Sequence, residues 1–168
     1  ENVIEQCRKM DFQGAIWAVH PKRTEINGIT CFKTVEDLPY GPDASFIGVN
    51  RFTTIEVIKL LNSIKAKGAV CFASGFSESV SEDAKSADLE RQLVLAAGEM
   101  AILGPNCYGF INYLDGSLLW PDQHGGERVK TGVAIITQSS NIAINLTMQK
   151  RGLPIAFISS VGNQAQVS

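Results

Sequence analysis

The sequence predicts an α/β fold built on a mostly parallel sheet. Two observations carry this expectation. Short runs that are apolar on both faces, as buried parallel strands are, recur at 15–19, 44–49, 69–73, 100–103, 133–137 and 155–158. Stretches of helical period lie between several of them, and that alternation argues for parallel strands joined by right-handed crossovers.

Taken in order, Val3, Ile4, Cys7 and Met10 fall on one face of a helix over 2–10. Gly14 opens the first strand, over 15–19, and 29–32 reads as a short strand. A buried strand over 44–49 follows. Thr53 or Thr54 is the expected cap of a helix carrying Ile55, Val57, Ile58, Leu61 and Ile64, with Gly68 as its end. The next strand runs over 69–73. Ser81 is expected to cap a long helix with Leu89, Leu93 and Ala97 on one face and Gly98 near its end. Met100 to Leu103 forms a strand stopped by Gly104-Pro105. Residues 121–131 are polar, contain the adjacent Gly125 and Gly126, and read as a linker. A strand over 133–137, a helix through about Arg151 and a strand over 155–158 complete the pattern. The expected division is therefore a first domain over 1–120, a linker over 121–131 and an incomplete second domain over 132–168. Both ends read as cut. The chain opens on a helix where a βαβ unit opens on a strand, and a closing unit of about 37 residues with two strands is too short to complete its own sheet.

Composition bounds the function classes. With 168 residues, 45% of them hydrophobic and 19% charged, the chain has an ordinary globular composition and enough length to bury a core. A net charge of -2 gives no electrostatic case for nucleic acid. No apolar run approaches the roughly 18 residues of a membrane span, and no basic segment precedes an apolar one at the start. The expectation is a cytoplasmic protein that binds neither membrane nor nucleic acid. Cys7, Cys31, Cys71 and Cys107 form no C-x-x-C pair, so buried free thiols are expected, with Cys107 the exception because it follows Gly104-Pro105-Asn106. His20 and His124 stand alone, and no metal site is expected.

Ligands of open parallel sheets bind at the carboxyl ends of the strands, so the strand ends are the candidate site. The first runs into His20-Pro21-Lys22-Arg23. A dinucleotide-binding unit prefers an acid there; two adjacent cations suit a phosphorylated ribose or another polyanion, and equally a solvated turn. The second strand ends in Val49-Asn50-Arg51-Phe52, and the third in Ser74-Gly75-Phe76-Ser77-Glu78, where Gly75 permits close backbone approach. The fourth ends in Gly104-Pro105-Asn106-Cys107-Tyr108-Gly109. Gln138-Ser139-Ser140-Asn141, between a strand and a helix, is either an anion site on free N–H groups or a plain helix cap. Asn145-Leu146-Thr147 matches the glycosylation pattern but falls within a predicted helix, and is read as a chance match.

The ordered set Val19-His20-Pro21-Lys22, Ala73-Ser74-Gly75-Phe76, Gly104-Pro105-Asn106-Cys107-Tyr108-Gly109 and Thr137-Gln138-Ser139-Ser140 resembles the NDP-forming acyl-CoA synthetases. These are the ADP-forming acetate–CoA ligase relatives of the succinyl-CoA synthetase alpha subunit, and the resemblance covers nearly the whole chain. It implies a Rossmann-like CoA-binding domain followed by the start of a flavodoxin-like domain. It implies an acid–CoA ligase that joins a small carboxylic acid to CoA at the expense of ATP, through an acyl phosphate and a phosphorylated histidine.

Carried over by residue, the resemblance implies CoA binding at Pro21, Lys22, Arg23, Val49, Asn50, Ser74, Gly75, Phe76, Glu78, Asn106 and Cys107. Lys22 would meet the CoA phosphates, and Asn106 is the candidate catalytic residue, an amide beside the reacting carbon. Ser139, Ser140 and Asn141 would bind phosphate at a helix N-terminus. Ser140 stands where the family usually has glycine, and His20 where it usually has asparagine. The first strand with its glycine-rich loop, the phosphorylated histidine and an ATP-grasp domain or subunit are expected outside this chain. ATP, ADP and Mg therefore belong to the complete enzyme, which is expected to be oligomeric, and this segment alone is expected not to turn over. His124 matches nothing catalytic. Two further readings stay open: an NAD(P)-binding oxidoreductase domain with Lys22-Arg23 on a 2′-phosphate, and a non-catalytic CoA-binding regulatory module of a protein acetyltransferase. Ile142 and Ile144 are read as the buried face of their helix ahead of an acyl-pocket lining.

Overall fold

The computed structural model describes residues 1–79 and 86–166. It is a mixed α/β structure with strands in three small sheets. Helix α1 (Asn2–Lys9) opens the chain and turns Ile4 and Cys7 inward. The first sheet has the order β1-β3-β2, with β1 (Ala18–Val19) parallel to β3 (Ile29–Phe32) and β2 (Glu25–Ile26) antiparallel to it. The strand expected over 15–19 is thus shorter than its apolar run. Trp17 leaves the ladder and meets the Tyr40 ring edge-on at 4.6 Å.

The β2–β3 hairpin was not expected from periodicity. Its turn is Asn27-Gly28, with φ of +48° and +75°. Asn-Gly is the dipeptide that accepts two left-handed residues in a two-residue hairpin.

The second sheet, β4-β5-β6, is parallel throughout. Its strands are β4 (Ser45–Ile47), β5 (Gly68–Cys71) and β6 (Ala101–Leu103). The helices α2 (Arg51–Ser63) and α3 (Ser86–Ala97) pack on it and on each other. Ile58, Leu61, Phe76, Leu93 and Ala97 are buried in this core, as are Val35 and Met100. The cap of α2 is Asn50 rather than Thr53 or Thr54. The Asn50 carboxamide oxygen accepts from the N–H groups of Phe52 and Thr53, both at 3.1 Å. Thr54 is buried and turns its hydroxyl back onto the Asn50 carbonyl at 2.9 Å. Gly68 does not end this helix. Lys65 takes the left-handed conformation, φ +60°, and Gly68 already belongs to β5. Leu89, Leu93 and Ala97 are buried along α3 as expected, while Ser81 lies outside the described residues.

The third sheet has the order β8-β7-β10-β9. β7 (Gly109–Asn112) and β8 (Leu118–Leu119) form an antiparallel hairpin absent from the sequence expectation. β9 (Val133–Thr137) and β10 (Ile155–Ser160) are parallel, and β10 runs antiparallel to β7 with Phe157 opposite Asn112 and Ser160 opposite Gly109. The two strands that follow the polar segment 121–131 are therefore completed by two that precede it. Trp120, Tyr113, Ile111 and Ile158 are buried here, together with Cys7 and Met10 from the α1 region. Helix α4 (Ser140–Met148) covers the sheet through Ala143 and Thr147. Ile142 corrects the expectation made for it: 54% of it is exposed, whereas Ile144 packs half-buried on the core.

Candidate functional site

The carboxyl ends of β4, β5 and β6 point to one side of their sheet, because parallel strands must share a direction. The turns that leave them enclose a cavity of about 550 Å³. Gly48 to Phe52 line it from the β4 end, Phe72 to Ser74 from the β5 end, and Asn106 to Tyr108 from the β6 end. A second lobe of about 270 Å³ lies between Asn106, Tyr108 and the Gln138–Asn141 turn. Asn106, Tyr108 and Ser140 line both lobes, so the two form one groove from the parallel sheet to the start of α4. The combined space is in the range of small-molecule and cofactor sites.

Backbone strain and capping shape these turns. Gly104–Pro105 is a cis peptide, and Asn106 follows it at φ +57° with its N–H donating to the Ala73 carbonyl at 2.9 Å. The Asn106 and Ser74 side chains are exposed and form no hydrogen bond with any described residue. They are polar groups left available at the mouth of the groove. Gly75 has φ +92°, and a Cβ there would stand 2.9 Å from the Arg51 guanidinium. The close neighbour that glycine admits is thus a side chain of α2, which donates to the Gly75 carbonyl at 2.5 Å.

Glu78 closes the same loop. Its carboxylate accepts from the N–H of Gly75 at 2.5 Å and of Phe76 at 3.2 Å, and from the Asn163 amide. Burial opposes its ionisation, but these donors together hold its carboxyl below the usual range. Phe76 is wholly buried beneath the loop. Val49 is exposed at the rim, and Asn50 beside it spends its carboxamide on the α2 cap.

Cys107 is corrected in one respect. It is not the exposed exception: 1% of it is accessible, and burial pushes its thiol up to about 12. All four cysteines are buried free thiols. The aromatic wall of the groove was missed by sequence reasoning. Phe72 and Tyr108 line the groove with ring centroids 5.6 Å apart, and the row continues behind the lining to Phe46 at 5.7 Å from Phe72 and to the wholly buried Trp120 at 5.4 Å from Tyr108. The four lie far apart in the sequence, and no local spacing announces such a row.

Ser139 caps α4, its hydroxyl oxygen accepting from the Ile142 N–H at 3.5 Å. Ser140 shares a hydroxyl–hydroxyl hydrogen bond with Ser160 at 2.7 Å, and Asn141 is exposed. Pro21, Lys22 and Arg23 line neither lobe. The His20 ring nitrogen accepts from the N–H groups of Lys22 and Arg23, and Arg23 pairs with Glu1 at 2.5 Å. His124 meets the Tyr113 hydroxyl at 3.2 Å and lines neither lobe. Among the described residues no group of acids, histidines and cysteines is placed to hold a metal ion. No described helix is long and apolar enough to cross a membrane.

Comparison with known proteins gives the family. A family model described as a CoA binding domain matches residues 1–113. A trans-feruloyl-CoA synthase from an unknown prokaryotic organism is 31% identical over 168 residues, which is 97% of this chain and 24% of that protein. An ADP-forming acetate–CoA ligase of Archaeoglobus fulgidus is 29% identical over 94% of this chain and 23% of its own length. The chain therefore spans about a quarter of the curated relatives it matches. The solved apo form of the dinucleotide-forming acetyl-coenzyme A synthetase 1 of Ca. Korarchaeum cryptofilum is 28% identical. It superposes with a TM-score of 0.84 over 98% of this chain and 35% of that one. The same enzyme solved with phosphate and ADP gives an equal score. With motif order, fold and family model in agreement, the chain belongs to the CoA-binding domain family, in the form carried by ADP-forming acid–CoA ligases.

Proposed function

We propose that this chain is the CoA-binding part of an ADP-forming acid–CoA ligase, a longer protein that joins CoA to a carboxylic acid. The observation that carries the reading is the two-lobed groove, in which the turns after β4, β5 and β6 meet the start of α4. The residues fit the ligand. The aromatic wall of Phe72 and Tyr108 offers an apolar bed for the pantetheine arm, and Ser74 and Asn106 offer unengaged polar groups beside it. In this reading Asn106 sets its amide against developing charge at the acyl carbon. The N-terminus of α4, capped by Ser139, faces the second lobe and attracts the anionic group exchanged there. Lys22 and Arg23 would meet the CoA phosphates outside the groove. Acyl phosphate, phosphohistidine, nucleotide and Mg chemistry would reside in the remainder of the protein, as would an ATP-grasp partner and any oligomer contact.

No acid is assigned. The relatives are named for trans-ferulate, acetate and 4-hydroxybutyrate at 31, 29 and 28% identity, which gives no preference. Lys22 and Arg23 suit a nucleotide 2′-phosphate as well as the CoA phosphates, so binding itself has to separate the two readings. Calorimetric titration of the full-length protein with CoA and with NADPH tests the proposal. Micromolar binding of CoA alone is expected, with acid-labile phosphohistidine appearing after ATP. Preference for NADPH, or no CoA binding, overturns it.

A further inference from the structure

The segment after β10 is gripped by the groove-forming turns. The Asn163 N–H donates to the Pro105 carbonyl at 2.9 Å, and the Ala165 N–H to the Gly104 carbonyl at 3.0 Å. Gly162 lies so close that a Cβ would collide with the Pro105 and Asn106 carbonyls. Gln166 works like an added strand, its amide oxygen accepting from the Ile102 N–H at 2.7 Å and its nitrogen donating to the Met100 carbonyl at 2.9 Å. These contacts clamp the turn that carries Asn106.

The Asn163 side chain does the same for the other turn. Its amide nitrogen donates to Glu78 and lies 3.3 Å from both Ser77 Oγ and a Glu90 carboxylate oxygen. Ser77 also donates its hydroxyl to that Glu90 oxygen at 2.6 Å. Glu90 reaches in from α3 and Glu78 from the loop after β5. Two like charges that would repel are thus separated by one amide with two hydrogens. Glu78 in turn fixes the N–H groups of Gly75 and Phe76, while Arg51 holds the Gly75 carbonyl from the other side. Among the described residues, Glu78, Glu90 and Arg51 are the charged groups that bond within this junction.

We propose that Asn163 is a positioning residue for CoA: by bridging Glu78 and Glu90 it sets the Ser74–Phe76 turn in its ligand-receiving shape. The inference rests on the CoA reading above. It extends the CoA site some 50 residues beyond the stretch matched by the family model, residues 1–113.

The test uses the full-length protein, with calorimetric CoA binding measured from pH 5 to pH 8 alongside thermal melting. N163L is expected to weaken CoA about tenfold or more, since a charged acceptor loses its donor. N163D places a third carboxylate between two others. Its affinity loss is expected to be largest at pH 8 and to recede toward pH 5 as the cluster takes up protons. The double variant E78Q/N163D removes one of the two carboxylates facing the introduced one and is expected to recover part of the lost affinity at pH 8. A purely structural role would lower the melting temperature without this pH profile or recovery. Wild-type affinity in N163L and N163D across the range, or a loss in N163D that neither acid nor E78Q relieves, overturns the inference. Absence of CoA binding by the wild-type protein overturns the parent reading instead, and so the two failures are distinct.

Discussion

The Arg51 guanidinium donates to the Gly75 carbonyl at 2.5 Å, tying the first turn of α2 to the loop that leaves β5. The same guanidinium lies 5.0 Å from the centre of the exposed Phe52 ring. One side chain thus joins two of the three turns that enclose the larger lobe.

Substituting either end of that tie should loosen the groove. Gly75→Ala forces an L-residue to φ +92° and drives its Cβ against Arg51, a strain of about 1–3 kcal/mol. Arg51→Met keeps the stem and loses the hydrogen bond. Both variants should show weaker CoA binding by calorimetry. Unchanged affinity in both would mean that the loop needs no tether.

The two helix caps should differ in strength. Asn50 accepts two hydrogen bonds of 3.1 Å, whereas Ser139 accepts one at 3.5 Å. Asn50→Ala is expected to cost about 1–2 kcal/mol in urea unfolding, and Ser139→Ala about 0.5 kcal/mol. Equal costs would contradict the geometry.

The four thiols should resist alkylation in the native state. Burial raises Cys7 to about 11 and Cys71 and Cys107 to about 12. At pH 8 only ~1 in 10,000 of the last two would be thiolate. Mass spectrometry after brief iodoacetamide treatment should find them unmodified when folded and fully modified in guanidinium. Rapid native labelling of Cys107 would show the groove opening to its floor.

Acid should destabilise the fold partly through His124. Burial, with the Lys9 charge adding to it, holds the His124 imidazole below its ordinary 6.5. The unfolded chain then takes up that proton first as pH falls. Stability from this residue is complete above 6.5 and is lost as pH drops through the folded value. Urea unfolding from pH 7.5 to pH 5 should lose stability less steeply in His124→Phe than in wild type. Parallel slopes would show that the ring protonates freely.

Local signals were legible and long-range ones were not. The parallel run β4-β5-β6 and the buried positions Leu89, Leu93 and Ala97 of α3 follow from periodicity alone. The Gly104–Gly109 turn was found because its residues are contiguous. The Asn27-Gly28 hairpin carried a signal that was passed over. The phase of α4 was misjudged at Ile142, because Ile142, Ala143, Ile144, Leu146 and Met148 surround the helix with apolar side chains and fix no single face. The Glu78–Asn163 contact joins residues 85 positions apart, and the Phe72–Tyr108 wall joins separate strand ends. No spacing rule reaches so far.

The pairing of β7 with β10 has a practical consequence for exchanging parts between relatives. A chimaera spliced in the polar stretch 121–131 would take β7 from one parent and β10 from the other. The Phe110 and Phe157 rings, stacked at 6.0 Å across that ladder, would then come from lineages never selected to fit each other. The flexible-looking glycines make the splice simple to draw, yet the hybrid would inherit a mismatched seam through the middle of a sheet.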